Sequence, residues 1–182
     1  MEKMNIADYR KLAGEPNKKV QNQIKGAVNR RNGQLFEGLI QSACIRYEMD
    51  DVAYIEKTPE PMRPISGQRR DGSFIAVFEK KAQADYKGTL KGGKAIGFEA
   101  KHTEADRIKR EAVSDEQEKC LDKMMNMGAV CFVLVSFGFR SFYKVPWGVW
   151  KNMKQIYGRK YLKPEDIEQY KVEHIGYLKF LG

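Results

Sequence analysis

At 182 residues the chain has the length of one ordinary domain, long enough to bury a core and too short for two full-sized domains with separate tasks. Its composition, 42% hydrophobic and 31% charged, is that of a globular protein, and no apolar run approaches the roughly 18 residues of a membrane span, which excludes a membrane-spanning protein. The formal charge of +9 asks for an acidic partner, with nucleic acid ahead of an anionic membrane surface.

In chain order, residues 1–34 carry eight basic residues against three acidic ones, are rich in Asn, Gln, Gly and Lys, and are interrupted by Gly14, Pro16 and Gly26. They read as a flexible basic N-terminal arm, residues 1–32, with a solubilising tail as the plainer alternative. From Gly33 the spacing of Phe36, Leu39, Ile40, Ala43 and Tyr47 predicts an amphipathic helix of about four turns, with Glu37 at the edge of its apolar stripe. Val52–Ile55 reads as a strand, and Pro59, Pro61 and Pro64 end it in an extended, irregular segment. Further strands are expected at Phe74–Phe78, Asp85–Leu90 and Lys94–Lys101, the last two joined by the tight turn Lys91-Gly92-Gly93-Lys94.

Ser114 with Gln117 three residues on has the form of a capping box, and Gly128 is the expected stop of the helix it opens. Cys120, Leu121, Met124 and Met125 form the apolar face of that helix. Ala129–Val135 is a continuous apolar run of the kind that makes a central strand, with Ser141–Val145 as its neighbour. After Pro146 the sequence reads as a basic, aromatic C-terminal tail (about 146–182) with helical content and a short helix opened by Pro164. Residues 137–163 hold seven basic residues and no acidic one, interleaved with aromatic side chains, a mixture able to meet phosphates and bases; Phe142 and Trp147 fit the core instead. The element order predicts a mixed α/β domain.

Cys44, Cys120 and Cys131 are far apart and set in apolar stretches, so they are expected as core thiols, and His102 and His174 are too few for a zinc cluster. The opening Met1-Glu2-Lys3-Met4-Asn5 lacks the layout of a signal peptide, and a cytoplasmic location is the expectation.

Strand alternation places Ile96, Phe98 and Ala100 on one face of the fourth strand and Gly97, Glu99 and Lys101 on the other. Asp85 opens the hairpin partner, so a second carboxylate comes near Glu99. Two carboxylates and a lysine suit phosphodiester hydrolysis. Hard oxygen ligands hold a magnesium ion that activates water, and a fixed cation stabilises the charge of the transition state. Glu37 could add a carboxylate, and Gln117 could hydrogen-bond the nucleophile. The plainer readings are a surface ion pair for Glu99 and Lys101, a solvated helix residue for Glu37, a helix cap for Gln117 and an exposed strand end for His102.

These segments, Gly33-Gln-Leu-Phe-Glu37, Lys57-Thr58-Pro59, Ala84-Asp85-Tyr86-Lys87-Gly88, Phe98-Glu99-Ala100-Lys101, Gln117 and Gly128-Ala129-Val130-Cys131-Phe132, resemble in order and spacing the RecU-type Holliday junction resolvases of the PD-(D/E)xK nuclease superfamily. The resemblance runs from Gly33 to Tyr143 and finds no counterpart after Val145. It implies a restriction-endonuclease-like α/β core, a mixed central sheet flanked by helices with a projecting stalk at about 59–81, within one nuclease domain over 33–182.

It further implies a homodimer that resolves four-way DNA junctions by paired symmetric nicks in recombination and repair, with Mg2+ as cofactor and Mn2+ as a substitute. Asp85, Glu99 and Glu37 become metal ligands and Lys101 the catalytic lysine, with Gln117 beside them. The expected DNA contacts are Arg30, Arg31, Arg63, Arg69, Arg70, Lys80, Lys81 and Lys87, and branch-migration or recombinase proteins are the expected further partners. The competing readings are another nuclease of the superfamily acting on duplex, flaps or ends, and a junction-binding factor that does not cleave.

Overall fold

The computed structural model describes residues 18–59, 61–78 and 83–181. The chain divides into two compact units, Met1–Leu35 and Phe36–Gly182. The described part of the first unit is wholly helical, the first half of helix α1 (Lys18–Met49). The helix therefore starts fifteen residues before the expected Gly33. Val20, Ile24 and Val28 recur every fourth residue among Lys, Gln and Arg, all good helix formers, and Gly26 costs the helix about 1 kcal/mol without ending it. Residues 1–17 of the expected basic arm lie outside the described residues.

In the second unit, the rest of α1 buries Phe36, Ile40, Ala43, Cys44 and Tyr47, as the apolar spacing requires. The strands are β1 (Ala53–Lys57), β2 (Met62–Pro64), β3 (Ala76–Phe78), β4 (Tyr86–Leu90), β5 (Ala95–Thr103) and β6 (Ile108–Lys109). Helix α2 (Asp115–Asn126) follows, then β7 (Val130–Phe137), β8 (Ser141–Pro146), α3 (Trp147–Lys151), α4 (Met153–Tyr157), β9 (Tyr161–Leu162), β10 (Lys171–His174) and β11 (Leu178–Lys179).

Seven strands form one mixed sheet in the order β1-β4-β5-β7-β8-β10-β11. Only β5 and β7 run parallel, and α2 makes the crossover between them. Tyr86, Phe98 and Phe132 stack in line across β4, β5 and β7, with centroids 4.9 and 4.6 Å apart. They belong to a core cluster shared with the Phe36–Tyr47 face of α1. The other sheet face packs Val133, Val135, Tyr143 and Val145 with Leu121 of α2 and with Trp147 and Trp150 of α3. Gly97 on β5 lies under Met124 of α2, and a Cβ there would meet the end of that thioether, so a larger residue at 97 would make the Met124 side chain move aside.

Two expectations change here. The Pro-rich segment is not all irregular: β2 pairs with β3 in a separate two-stranded ladder, Met62 opposite Phe78, with Pro61 just before the strand and Pro64 at its last position, opposite Ala76. The residues after Pro146 are an integral part of the domain. Trp147, Trp150 and Met153 are buried, and β10 and β11 extend the main sheet. The Tyr47 hydroxyl locks this end in place by donating to the Leu178 carbonyl at 3.0 Å and accepting from the Leu181 amide at 2.9 Å.

Candidate active site

Strand β5 sends Glu99 and Lys101 to the face covered by α2, as its alternation demands. Asp85 sits immediately before β4, which pairs antiparallel with β5, Tyr86 opposite Phe98. Its position is fixed twice: the Ala100 amide donates to Asp85 Oδ2 at 3.0 Å, and the Thr58 amide donates to the Asp85 carbonyl at 2.8 Å. These backbone donors have no sequence signal beyond strand pairing, and sequence reasoning missed Thr58 and Ala100 as supports of the site.

Glu99 is fully buried. Its Oε2 accepts from Lys101 Nζ at 3.0 Å and from Gln117 Nε2 at 2.5 Å. Lys101 Nζ also donates to Gln117 Oε1 at 3.3 Å and lies 3.8 Å from Asp85 Oδ2. Gln117 closes the α2 capping box as well: Ser114 Oγ accepts from its amide, and its Oε1 accepts from the Ser114 amide at 3.1 Å. The cap and the site contact are thus one side chain, and Ser114 is a third support, one that the capping motif could have revealed.

The other oxygen of Glu99, Oε1, is buried with no hydrogen-bond partner among the described residues. An anionic oxygen in that position is costly unless a proton or a cation meets it. Burial pushes the Glu99 carboxyl up to about 8, the Asp85 charge adds to the rise, and Lys101 opposes it. Asp85 is near enough for its charge to raise Glu99, so a proton or a divalent ion held by the pair relieves the repulsion between the two carboxylates. The donor set fits a hard divalent cation that keeps several waters.

The sign of the pH effect follows from this shift. The unfolded chain ionises Glu99 near its ordinary value of 4.5, whereas the folded metal-free protein holds the proton to about 8. Between those values the folded state binds the extra proton, so this group's contribution to stability is complete below the lower value. It declines as pH rises, and is gone above the upper one. In chelator, Tm is expected to fall over that window. Glu99→Gln, which mimics the protonated acid, is expected to flatten the decline and to be the more stable protein above about pH 8. Equal slopes for the two proteins in a thermal melt series would refute the assignment.

Glu37 is not brought into this cluster. It accepts an ion pair from Lys57 at 2.7 Å, with both side chains well exposed, and among the described residues no group of three or more acidic, His or Cys side chains is placed to hold a metal. His102 stands on the opposite face of β5 and is nearly enclosed. It bonds Ser136 Oγ at 3.0 Å and Glu104 Oε1 at 2.9 Å and stacks on Phe139, a packed role in place of the exposed strand end expected.

Of the expected DNA contacts, Lys87 on β4 donates to Gln83 Oε1 at 2.7 Å and is half-buried. Arg63 is exposed on β2, and Arg69 and Arg70 are exposed in the β2–β3 connection. Arg30 and Arg31 are exposed on α1 in the first unit, and Lys80 and Lys81 lie outside the described residues.

The family model for RecU, recombination protein U, matches residues 31–181. The match extends past Val145, where the sequence resemblance found no counterpart. No curated protein matches the chain in sequence. The solved structures similar to it include Hjc of Archaeoglobus fulgidus, a Holliday junction resolvase from an archaeal hyperthermophile. That protein is 11% identical with a TM-score of 0.48, over 78% of this chain and 91% of the other.

Proposed function

The chain belongs to the RecU family of recombination proteins, the Holliday junction resolvases, and from that premise we propose that Asp85, Glu99 and Lys101 form its cutting centre. It is an endonuclease of DNA recombination, in a family that works with divalent metal ions. The observation that carries the reading is the buried Glu99 carboxylate, one oxygen tied to Lys101 and Gln117 and the other buried without a hydrogen-bond partner among the described residues.

Asp85 and Glu99 would hold Mg2+, with Mn2+ as a substitute. Such an ion neutralises phosphate charge and lowers the pKa of a bound water. Lys101, fixed between the carboxylates, stabilises the negative charge that develops at phosphorus. Gln117 positions Lys101 and Glu99 against each other and offers a hydrogen bond beside the attacking water. Glu37, tied to Lys57 through Oε2, is a further ligand in this reading. A homodimer would present two such centres to the two equivalent strands of a four-way junction, giving paired symmetric nicks.

The β2–β3 hairpin exposes Phe74 and Ile75 near Arg69 and Arg70, apolar and cationic surface suited to an open junction. Arg30, Arg31, Arg63 and Lys87, with Lys80 and Lys81, supply the remaining phosphate contacts in this reading. Among the described residues no helix is long and apolar enough to cross a membrane. The substrate places the work at chromosomal or phage DNA in the cytoplasm.

The test is a panel of synthetic four-way junction, plain duplex and flap, incubated with Mg2+ and then with EDTA. Paired nicks confined to the junction and abolished by EDTA are expected. Equal cutting of duplex or flap would favour another nuclease of the superfamily, and tight junction binding without nicks would make the protein a binding factor.

A further inference from the structure

The basic C-terminal segment 159–163 takes no part in the site above. Strand β9 pairs antiparallel with β6, Ile108 opposite Leu162 and Lys109 opposite Tyr161. Ile108 and Leu162 are buried at 4% and 0%, so Lys109 and Tyr161 emerge together on the outer side of this ladder. Two guanidinium groups stack on the Tyr161 ring: Arg107 lies 5.1 Å from its centroid and Arg159 lies 4.9 Å from it. Arg159 is anchored by both oxygens of Asp166 at 2.6 Å, which makes the stack a rigid base. Lys109 and Lys160 beside it are exposed and make no ion pair among the described residues.

Strand β6 also lines a cavity of about 450 Å3 whose wall runs from Lys101 through Thr103 and Arg107 to Lys109. That wall holds three cations and no carboxylate. Lys101 is paired with Glu99 at 3.0 Å and Arg107 with Asp106 at 3.0 Å, so the unpaired positive charge of this groove lies at its far end, on exposed Lys109 with Lys160 just before the neighbouring strand. A polyanion whose scissile phosphate sits at Lys101 has to continue along the protein in some direction, and this wall is complementary to it.

Resting on the resolvase reading, we propose that this groove, ending at Lys109 and Lys160, seats the sugar–phosphate backbone of the DNA arm adjoining the scissile phosphate. The C-terminal segment serves as the outer rail of that seat. The contacts are to backbone alone, so they add affinity and register without sequence preference.

The experiment compares the wild type with K109A/K160A, and with K91A/K94A, which removes two exposed lysines at the turn before β5, at its opposite end. Four-way junction binding is measured without metal over a range of salt, and nicking is measured with Mg2+. Each lost phosphate contact lowers the slope of log affinity against log salt by about one, so K109A/K160A is expected to be shallower by about two. K91A/K94A is expected to match the wild type. A K109A/K160A slope equal to the wild type, or the same loss in K91A/K94A, overturns the proposal. The resolvase reading fails separately, if the wild type nicks no junction, and the binding slopes still decide whether the groove holds DNA.

Discussion

Lys101→Met is expected to lower the single-turnover rate of junction nicking by about 10²–10³-fold, while junction affinity changes by less than about threefold. The side chain is only 18% exposed and holds one oxygen of Glu99 at 3.0 Å, with Asp85 at 3.8 Å. Methionine keeps the aliphatic stem and removes the charge. Glu99 then loses the cation that opposes its rise, retains its proton more firmly, and becomes a weaker ligand, while the stabilisation of charge at the phosphate is lost as well. Both effects act on the chemical step. Affinity survives because one half-buried ammonium is a small part of a surface rich in phosphate contacts. A variant nicking within about threefold of the wild type would remove Lys101 from the reaction, and a parallel collapse of binding would make it a docking residue instead.

The second large effect concerns stability. Trp147 is buried at 1%, and its Nε1 donates to Asp122 Oδ1 at 2.8 Å, while Lys151 Nζ bonds Oδ2 of the same carboxylate at 2.7 Å. Helix α3 is thereby clamped to α2, the helix that carries Gln117. Trp147→Ala deletes the ring from a packed core, a loss of about 3–5 kcal/mol. At about 2–4 °C per kcal/mol for a chain of this size, Tm is expected to fall by about 6–20 °C. Trp147→Phe keeps most of the ring and loses the N–H, which costs about 1–2 kcal/mol. A fall of less than about 3 °C for the alanine variant would show that the residues after Pro146 do not support the nuclease core.

Where one periodicity governs an element, the sequence is readable. Alternation in β5 was enough to put Glu99 and Lys101 on one face, and the capping box located the start of α2 to the residue. The Gly92-Gly93 turn forms as expected, with both glycines at positive φ. What was not legible depends on contacts distant in sequence. Nothing near Glu37 announces that Lys57 will claim it, since the two meet only when α1 packs beside the end of β1. Strands β9 and β11 have two residues each, too few for a period to register, and β10 reads Lys-Val-Glu-His with one buried side chain. The early start of α1 was hidden by Gly26, a residue that marks a break more often than it makes one.

The double duty of Gln117 narrows what position 117 can accept. Helix capping alone is indifferent between Gln and Glu at this position. Here the side chain also donates a hydrogen bond to Glu99, and a glutamate would set a third anion against Asp85 and Glu99 in a site that already resists holding two. Alanine would free the cap and loosen Lys101. The residue most interchangeable with Gln117 by the rules of helices is thus the one the neighbouring strand forbids, and a position that looks like ordinary helix punctuation is tied to the Glu99 and Lys101 pair that we propose as part of the cutting centre.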